Sequence, residues 1–223
     1  MSDKDYSKFC VIFDMDGVLA DTSSIHFESW VKLAEEIGIT FTKSFFERTF
    51  GQQSPSIVRE LVGQEADELL IRNWANLKEY YYRDMVKGKL RPLPGVLKII
   101  SQLKALGFKL AVGSSGPSEN VELLLVTLQI KHNFDVVITA KEVQNGKPEP
   151  DVFIMAAKAL NLPPENCIVI EDAPVGIKAA RAAGMNCIAL TTTHNEEELN
   201  GAQIISKNLT EISINDIINL FNK

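Results

Sequence analysis

Five short apolar runs punctuate the chain, at 8–13, 108–113, 135–139, 166–170 and 186–190, and they are rich in Val, Ile and Phe. Within each run apolar residues follow one another without polar alternation. That pattern suits strands buried on both faces of a parallel sheet. Between the later runs, apolar positions recur at helical spacing over 95–106, 117–129, 150–160 and 174–183. Strands alternating with helices predict an α/β domain built on a doubly wound parallel sheet. In the last of these helices, Gly176, Ala179, Ala180 and Ala183 predict close packing of helix on sheet.

Residues 22–90 break the rhythm. Phe27, Trp30, Val31, Ala34 and Ile37 share one helical face, and Ile57, Val58, Leu61 and Val62 share another. Ser54 and Pro55 read as the N-cap and first-turn residue of the second of these helices. A longer amphipathic helix is predicted over 65–87. No strand-like run lies between Asp21 and Lys89, so the segment reads as a helical domain, 22–90, inserted into a core formed by 1–21 and 91–223. Arg91-Pro92-Leu93-Pro94-Gly95 is the expected return hinge.

Composition changes this picture little. With 223 residues, 45% hydrophobic and 23% charged, the chain resembles an ordinary globular protein able to bury a core without disulfides. The formal net charge of −6 argues against nucleic acid or an anionic membrane as partner, and requires local positive charge for any anionic substrate. Cys10, Cys167 and Cys187 all lie in or beside apolar runs without CxxC spacing, and so read as buried free thiols. The N-terminal residues lack the apolar core of a signal peptide, so a cytoplasmic location is expected. A monomer or small homo-oligomer is anticipated.

Chemistry concentrates where the strands end. The first run finishes in Asp14-Met15-Asp16-Gly17, the second in Gly113-Ser114-Ser115-Gly116 and the fourth in Glu171-Asp172, while Lys147 precedes the helix starting near Pro150. Ligands of open parallel sheets bind at such strand ends. Asp14 and Asp16, two apart on an extended chain, face the same crevice. With Glu171 and Asp172 they bring as many as four carboxylates to one place. Mutual repulsion would raise their pKa values unless a cation intervened, and oxygen ligands suit Mg²⁺. Lys147 adds positive charge, and Ser114 with the Gly-flanked turn offers donors to an anion. Acids, a hard cation and anion donors together describe a phosphoryl-transfer site.

DMDGVLADT, VGSSG, NGKPEPD and VIEDAPVGIKAA resemble, in order, the motifs of the haloacid dehalogenase superfamily of phosphohydrolases. The insertion after the first motif is similar to the helical (C1-type) cap of its subfamily I, which includes small-molecule phosphatases and beta-phosphoglucomutase. The resemblance implies a Rossmannoid core and a Mg²⁺-dependent phosphatase acting on a small phosphorylated metabolite such as a sugar phosphate. It implies that Asp14 is the nucleophile, forming an aspartyl-phosphate, and that Asp16 is the acid and base, with its pKa raised. Mg²⁺ would sit on Asp14, the main-chain oxygen of Asp16 and Asp172, with Glu171 nearby. Ser114, Ser115 and Lys147 would hold phosphate. Asp16 argues against dehalogenation, since the superfamily's dehalogenases lack it.

The substrate is left open. His26, Gln52, Gln53 and Lys78 are the candidates on the insertion; His26 and Lys78 resemble residues of the phosphoglucomutase-like members, whereas Gly51-Gln52-Gln53-Ser54 lacks the arginine with which that group grips a second phosphate. A phosphomutase is therefore the alternative reading. A phospho-acceptor signalling domain fits less well, because the acidic pair Glu171-Asp172 comes late. His132 and His194 are expected on the surface, Trp30 in the core, and Asp172 as a possible cap for the helix near Pro174. The stretches near 19–23 and 89–94 are where the insertion would swing on the core.

Overall fold

The computed structural model describes residues 6–63 and 65–222. Its centre is a six-stranded sheet in the order β3-β2-β1-β4-β5-β6, with every neighbouring pair parallel. The strands are β1 (Cys10–Phe13), β2 (Lys109–Gly113), β3 (Val136–Ile138), β4 (Cys167–Glu171), β5 (Asn186–Leu190) and β6 (Ile204–Ser206). The apolar runs became β1 to β5. The sheet also has β6, a three-residue edge strand that is only half-buried, so it carries no continuous apolar run to betray it.

Side chains leave a strand on alternate faces, and two cores follow. Val11 and Phe13 face a layer made by α5 (Val96–Ala105), α6 (Ser118–Thr127) and α9 (Ile214–Leu220). Cys10 and Ile12 face α7 (Asp151–Ala159) and α8 (Pro174–Ala182). The cysteines are free and buried, as expected. The chain fills the β2–β3 side of β1 first and then crosses to β4 on the other side. That reversal is a topological switch point, and it lies beside the end of β1. Phe13 is in register with Val112 on one side and Ile170 on the other. The residues that follow β1, β2 and β4 therefore share one rim.

Between β1 and α5 lie four helices, α1 (Ser23–Ile37), α2 (Lys43–Thr49), α3 (Ser54–Val62) and α4 (Glu68–Met85). They pack around an apolar cluster of their own containing Trp30, Leu33, Phe41, Phe46, Ile57, Val58 and Ile71. Trp30 is in that core, as expected. Two connections join these helices to the sheet layer, where Ala20 bridges Pro92 and the Leu93 amide donates to the Leu19 carbonyl at 3.0 Å. Ser54 is not the N-cap of α3. Gln53 holds that position, and the Ser54 hydroxyl is instead drawn to a buried carboxylate, Glu79.

One ion-paired acid makes the fold sensitive to pH. Asp135, at the entry to β3, accepts from the Leu110 amide at 2.9 Å and lies 3.3 and 3.4 Å from Lys104 and Lys109. Burial pushes this carboxyl upward, but the Leu110 amide and the two lysines outweigh it and hold it below its ordinary value. A depressed folded-state pKa contributes stability above the unfolded pKa, and that contribution is lost as pH falls through the folded value. Urea-unfolding free energy should thus decline below about pH 4, and Asp135→Asn should flatten part of the decline, by up to ~1 kcal/mol for a partly solvated group. An acid limb unchanged by the substitution would contradict this assignment.

Candidate active site

The rim at the switch point gathers the predicted core residues. Asp14 follows β1, and its amide donates to the Ile170 carbonyl at 2.9 Å, fixing it beside β4. Lys147 reaches across from the loop before α7, with its ammonium 2.5 Å from Asp14 Oδ1 and 2.6 Å from Glu171 Oε1. Only 1% of that lysine side chain is exposed, so burial disfavours its charge. The two carboxylates more than offset this and hold its pKa above normal.

Glu171 and Asp172 take different positions. Glu171 Oε2 accepts from the amides of Asp172 and Ala173, at 2.9 and 3.1 Å, so both its oxygens are engaged. The expectation that Asp172 caps α8 fails. Ala173 is the N-cap residue, Glu171 takes the adjoining amides, and Asp172 is bound by the Thr193 hydroxyl. Gly176 also proves to be more than packing. A Cβ there would stand 1.8 Å from Glu171 Oε1, so this glycine makes the space that the glutamate occupies. At Gly17 the backbone has φ +75°, and a Cβ would fall 1.9 Å from Asp172 Oδ2; glycine meets both demands.

Carboxylate oxygens of Asp14, Glu171 and Asp172 lie within 4.8 Å of one another. Burial drives the Asp14 carboxyl up to about 8 against the pull of Lys147, with Glu171 and Asp16 adding to the rise. Burial also raises Asp172, helped by the charges of Glu171 and Asp14. A buried cluster of hard oxygen donors with more negative charge than one lysine balances fits a divalent cation such as Mg²⁺. Asp14 and Asp172 would hold it, with the main-chain oxygen of Asp16; Glu171, occupied by Lys147 and two amides, would fix the arrangement from behind. Such an ion would supply charge neutralisation to a phosphoryl group.

Asp16 differs from expectation. Its pKa is lowered, not raised: burial pushes it up, but the His26 imidazole, the Thr22 hydroxyl and the Lys78 ammonium outweigh burial. Thr22 donates to Asp16 Oδ1 at 2.5 Å, and His26 Nε2 lies 3.2 Å from the same oxygen. His26 Nδ1 faces the Lys78 ammonium at 2.7 Å. An ammonium can only donate, so Nδ1 accepts and Nε2 carries the hydrogen given to Asp16. His26 stacks on Tyr82 with ring centroids 3.9 Å apart.

Ser114 is buried; its hydroxyl accepts from the Gly116 amide at 3.0 Å, and its own amide is tied to Ile138. The Ser115 hydroxyl is buried without a hydrogen-bond partner, the condition of a group that awaits a ligand oxygen. A crevice runs from Asp14, Asp16 and Ser115 to the helical insertion, where His26, Gln52, Ser54 and Lys78 line it. Counting its open mouth, its empty space is about 510 Å³. Gln53 is not among the lining residues; its side chain lies against Gly146. His132 is exposed, as expected, but His194 is not a simple surface residue. It is partly buried, with Nδ1 3.1 Å from the Asp172 carbonyl and Nε2 3.1 Å from the Glu47 carbonyl. Thr22, which closes the motif DMDGVLADT, also belongs to this assembly, as do Glu79, Thr193 and Asn120, which no motif marks.

A doubly wound sheet with paired aspartates, a serine turn, a buried lysine and an acidic pair at its switch point defines an α/β enzyme of carboxylate chemistry on anionic substrates. The chain belongs to the haloacid dehalogenase-like hydrolase family, whose family model matches residues 11–190. It is 35% identical to validoxylamine A 7'-phosphate phosphatase of Streptomyces hygroscopicus subsp. limoneus over 90% of this chain and 94% of that one. It is 32% identical to the beta-phosphoglucomutase of Bacillus subtilis over 92% of this chain and 91% of that one. The crystal structure of beta-phosphoglucomutase from Clostridium difficile superposes with a TM-score of 0.86 at 30% identity, covering 96% of each chain. The protein is a phosphoryl-transfer enzyme of this family. Among the described residues no helix is long and apolar enough to cross a membrane.

Proposed function

We propose that the protein is a Mg²⁺-dependent phosphatase that hydrolyses a small phosphomonoester, such as a sugar phosphate, through an aspartyl-phosphate on Asp14. The observation that carries this reading is the junction of two unlike aspartates at one crevice: Asp14 beside a lysine and an acidic cluster, Asp16 beside hydrogen-bond donors. Asp14 attacks phosphorus, and the P–O bond to the leaving group breaks. Asp16 gives its proton to the departing oxygen and later removes one from the water that attacks the acyl phosphate. Because the surroundings of Asp16 favour its charged form, the arrangement suits the base half of the cycle. The negative charge of a bound phosphate would shift it toward the protonated form needed for the acid half. Ser114, Ser115 and Lys147 would hold phosphate oxygens, and α1–α4 would act as a cap that excludes water.

The test is a phosphate-release screen over sugar, polyol and nucleoside monophosphates with and without Mg²⁺. Release from at least one class, abolished by a chelator, is expected; no release from any would overturn the reading. Binding of the ion has its own readout. At about 100 times its dissociation constant, Mg²⁺ should stabilise the fold by ~2.7 kcal/mol, raising Tm by roughly 5–10 °C for a chain of this size. Asp172→Asn should remove most of that shift, and an equal shift in the variant would exclude Asp172 as a ligand.

A phosphomutase is the second reading. It is favoured by the beta-phosphoglucomutase relatives and by His26 and Lys78 standing next to Asp16. Residues 51–54 offer no arginine for a second phosphate, which supports the phosphatase. Formation of glucose 6-phosphate from beta-glucose 1-phosphate, stimulated by the bisphosphate and with little phosphate released, would reverse the preference.

A further inference from the structure

Where the leaving group must lie, the wall of the crevice carries an acid that no motif announces. Glu79 on α4 is 6% exposed and lines the same crevice as Asp14 and Asp16. We infer that Glu79 sets the charge of the acceptable leaving group: it makes the crevice selective for phosphomonoesters of neutral, hydroxyl-bearing alcohols and excludes leaving groups that carry a second phosphate. The inference deepens the phosphatase reading and rests on it.

An ester attacked by Asp14 projects its leaving oxygen past Asp16 toward α1, α3 and α4. Among the described residues lining that space, Lys78 is the only lysine or arginine. Its charge is already engaged. The ammonium lies 3.0 Å from Glu79 Oε1 and 2.7 Å from His26 Nδ1, and 5.1 Å from the centre of the Trp30 ring. Glu79 cannot easily swing away to release it, because Oε1 also accepts from the Ser54 hydroxyl and Oε2 accepts from Asn120 Nδ2 at 2.6 Å. Asn120 in turn accepts from Arg83 at 2.9 Å. Burial pushes the Glu79 pKa up, but the Lys78 ammonium and the Ser54 hydroxyl help to outweigh burial and lower it.

Lys78 and Glu79 therefore cancel. A second phosphate would meet the Glu79 carboxylate at low dielectric with no uncommitted cation, which is a repulsive element acting against bisphosphates. Hydroxyl groups meet what they need, since Gln52, Ser54 and the carboxylate of Glu79 supply both donors and acceptors.

Binding and turnover test this separately. In an Asp14→Asn background, calorimetric titration should show glucose 1,6-bisphosphate binding at least tenfold more weakly than glucose 6-phosphate. Glu79→Gln should tighten the bisphosphate at least tenfold while moving the monophosphate less than threefold. If that variant does not fold, Gln52→Arg adds a cation to the same wall without touching the buried network and should tighten the bisphosphate similarly. Equal or tighter binding of the bisphosphate to the protein that retains Glu79 would overturn the inference. Phosphate release from 4-nitrophenyl phosphate by the unsubstituted protein reports on the underlying reaction. Release together with indiscriminate binding sinks the role of Glu79 alone, and discrimination without release sinks the phosphatase reading.

Discussion

Asp14→Asn should lower phosphate release by at least ~10³-fold, the scale on which loss of a catalytic nucleophile is felt, while leaving the fold intact. The amide keeps the shape of the side chain but is not a competent nucleophile toward phosphorus. Its effect on stability should be small, because two changes oppose one another. Lys147 loses one of its two partners, at 2.5 Å, but keeps Glu171 at 2.6 Å. At the same time a carboxyl driven up to about 8 by burial and by its acidic neighbours no longer has to ionise among them. Phosphate release measured beside a urea-unfolding curve separates the two effects. Turnover within tenfold of the unsubstituted protein would remove Asp14 from the chemistry. Unfolding at much lower urea would make it structural.

The second large effect is predicted at Lys147. Its ammonium is buried between Asp14 and Glu171, with the Phe153 ring 4.9 Å away. Lys147→Met preserves length and apolar packing but removes the only cation in contact with those carboxylates among the described residues. Removing one partner of a buried ion pair typically costs ~3–5 kcal/mol, because the remaining charge stays buried. Tm should fall by roughly 10 °C for a chain of this length, and phosphate release should fall with it. A divalent cation should restore part of the lost stability, since it neutralises the same oxygens. Adding Glu171→Gln should recover another part, so the double variant should be more stable than the sum of the single losses. A Lys147→Met protein as stable as the unsubstituted one would mean that these carboxyls are not charged in the folded protein.

Residues with chemistry at strand ends were legible because a parallel sheet leaves them few other places. The run before Asp14 has no polar interruption, so β1 had to be buried on both faces, and its neighbours had to deliver Ser114 and Glu171 to the same edge. What the sequence concealed depends on long-range partners. Thr193 meets Asp172, 21 positions away, and Asn120 meets Glu79, 41 positions away; neither has a spacing or residue type that marks it. The lowered pKa of Asp16 has a nearer origin. Four acids at one crevice suggest repulsion, but Thr22 and His26, 6 and 10 positions further on, fold back onto Asp16 and reverse the sign. His194 looked superficial beside an acidic run, yet it spans the Asp172 and Glu47 carbonyls. Edge elements escaped for a different reason, since β6 and α9 are short and only partly covered.

Transfer of phosphorus to the Asp14 carboxylate can be observed directly. A single turnover on a hydrolysed phosphomonoester, quenched in acid and reduced with borohydride, converts an aspartyl-phosphate to homoserine at the modified position. Peptide mass spectrometry should find homoserine at position 14 and unaltered aspartate at positions 16 and 172. Unmodified Asp14 in protein that is demonstrably turning over, or homoserine at another aspartate, would contradict the proposed chemistry.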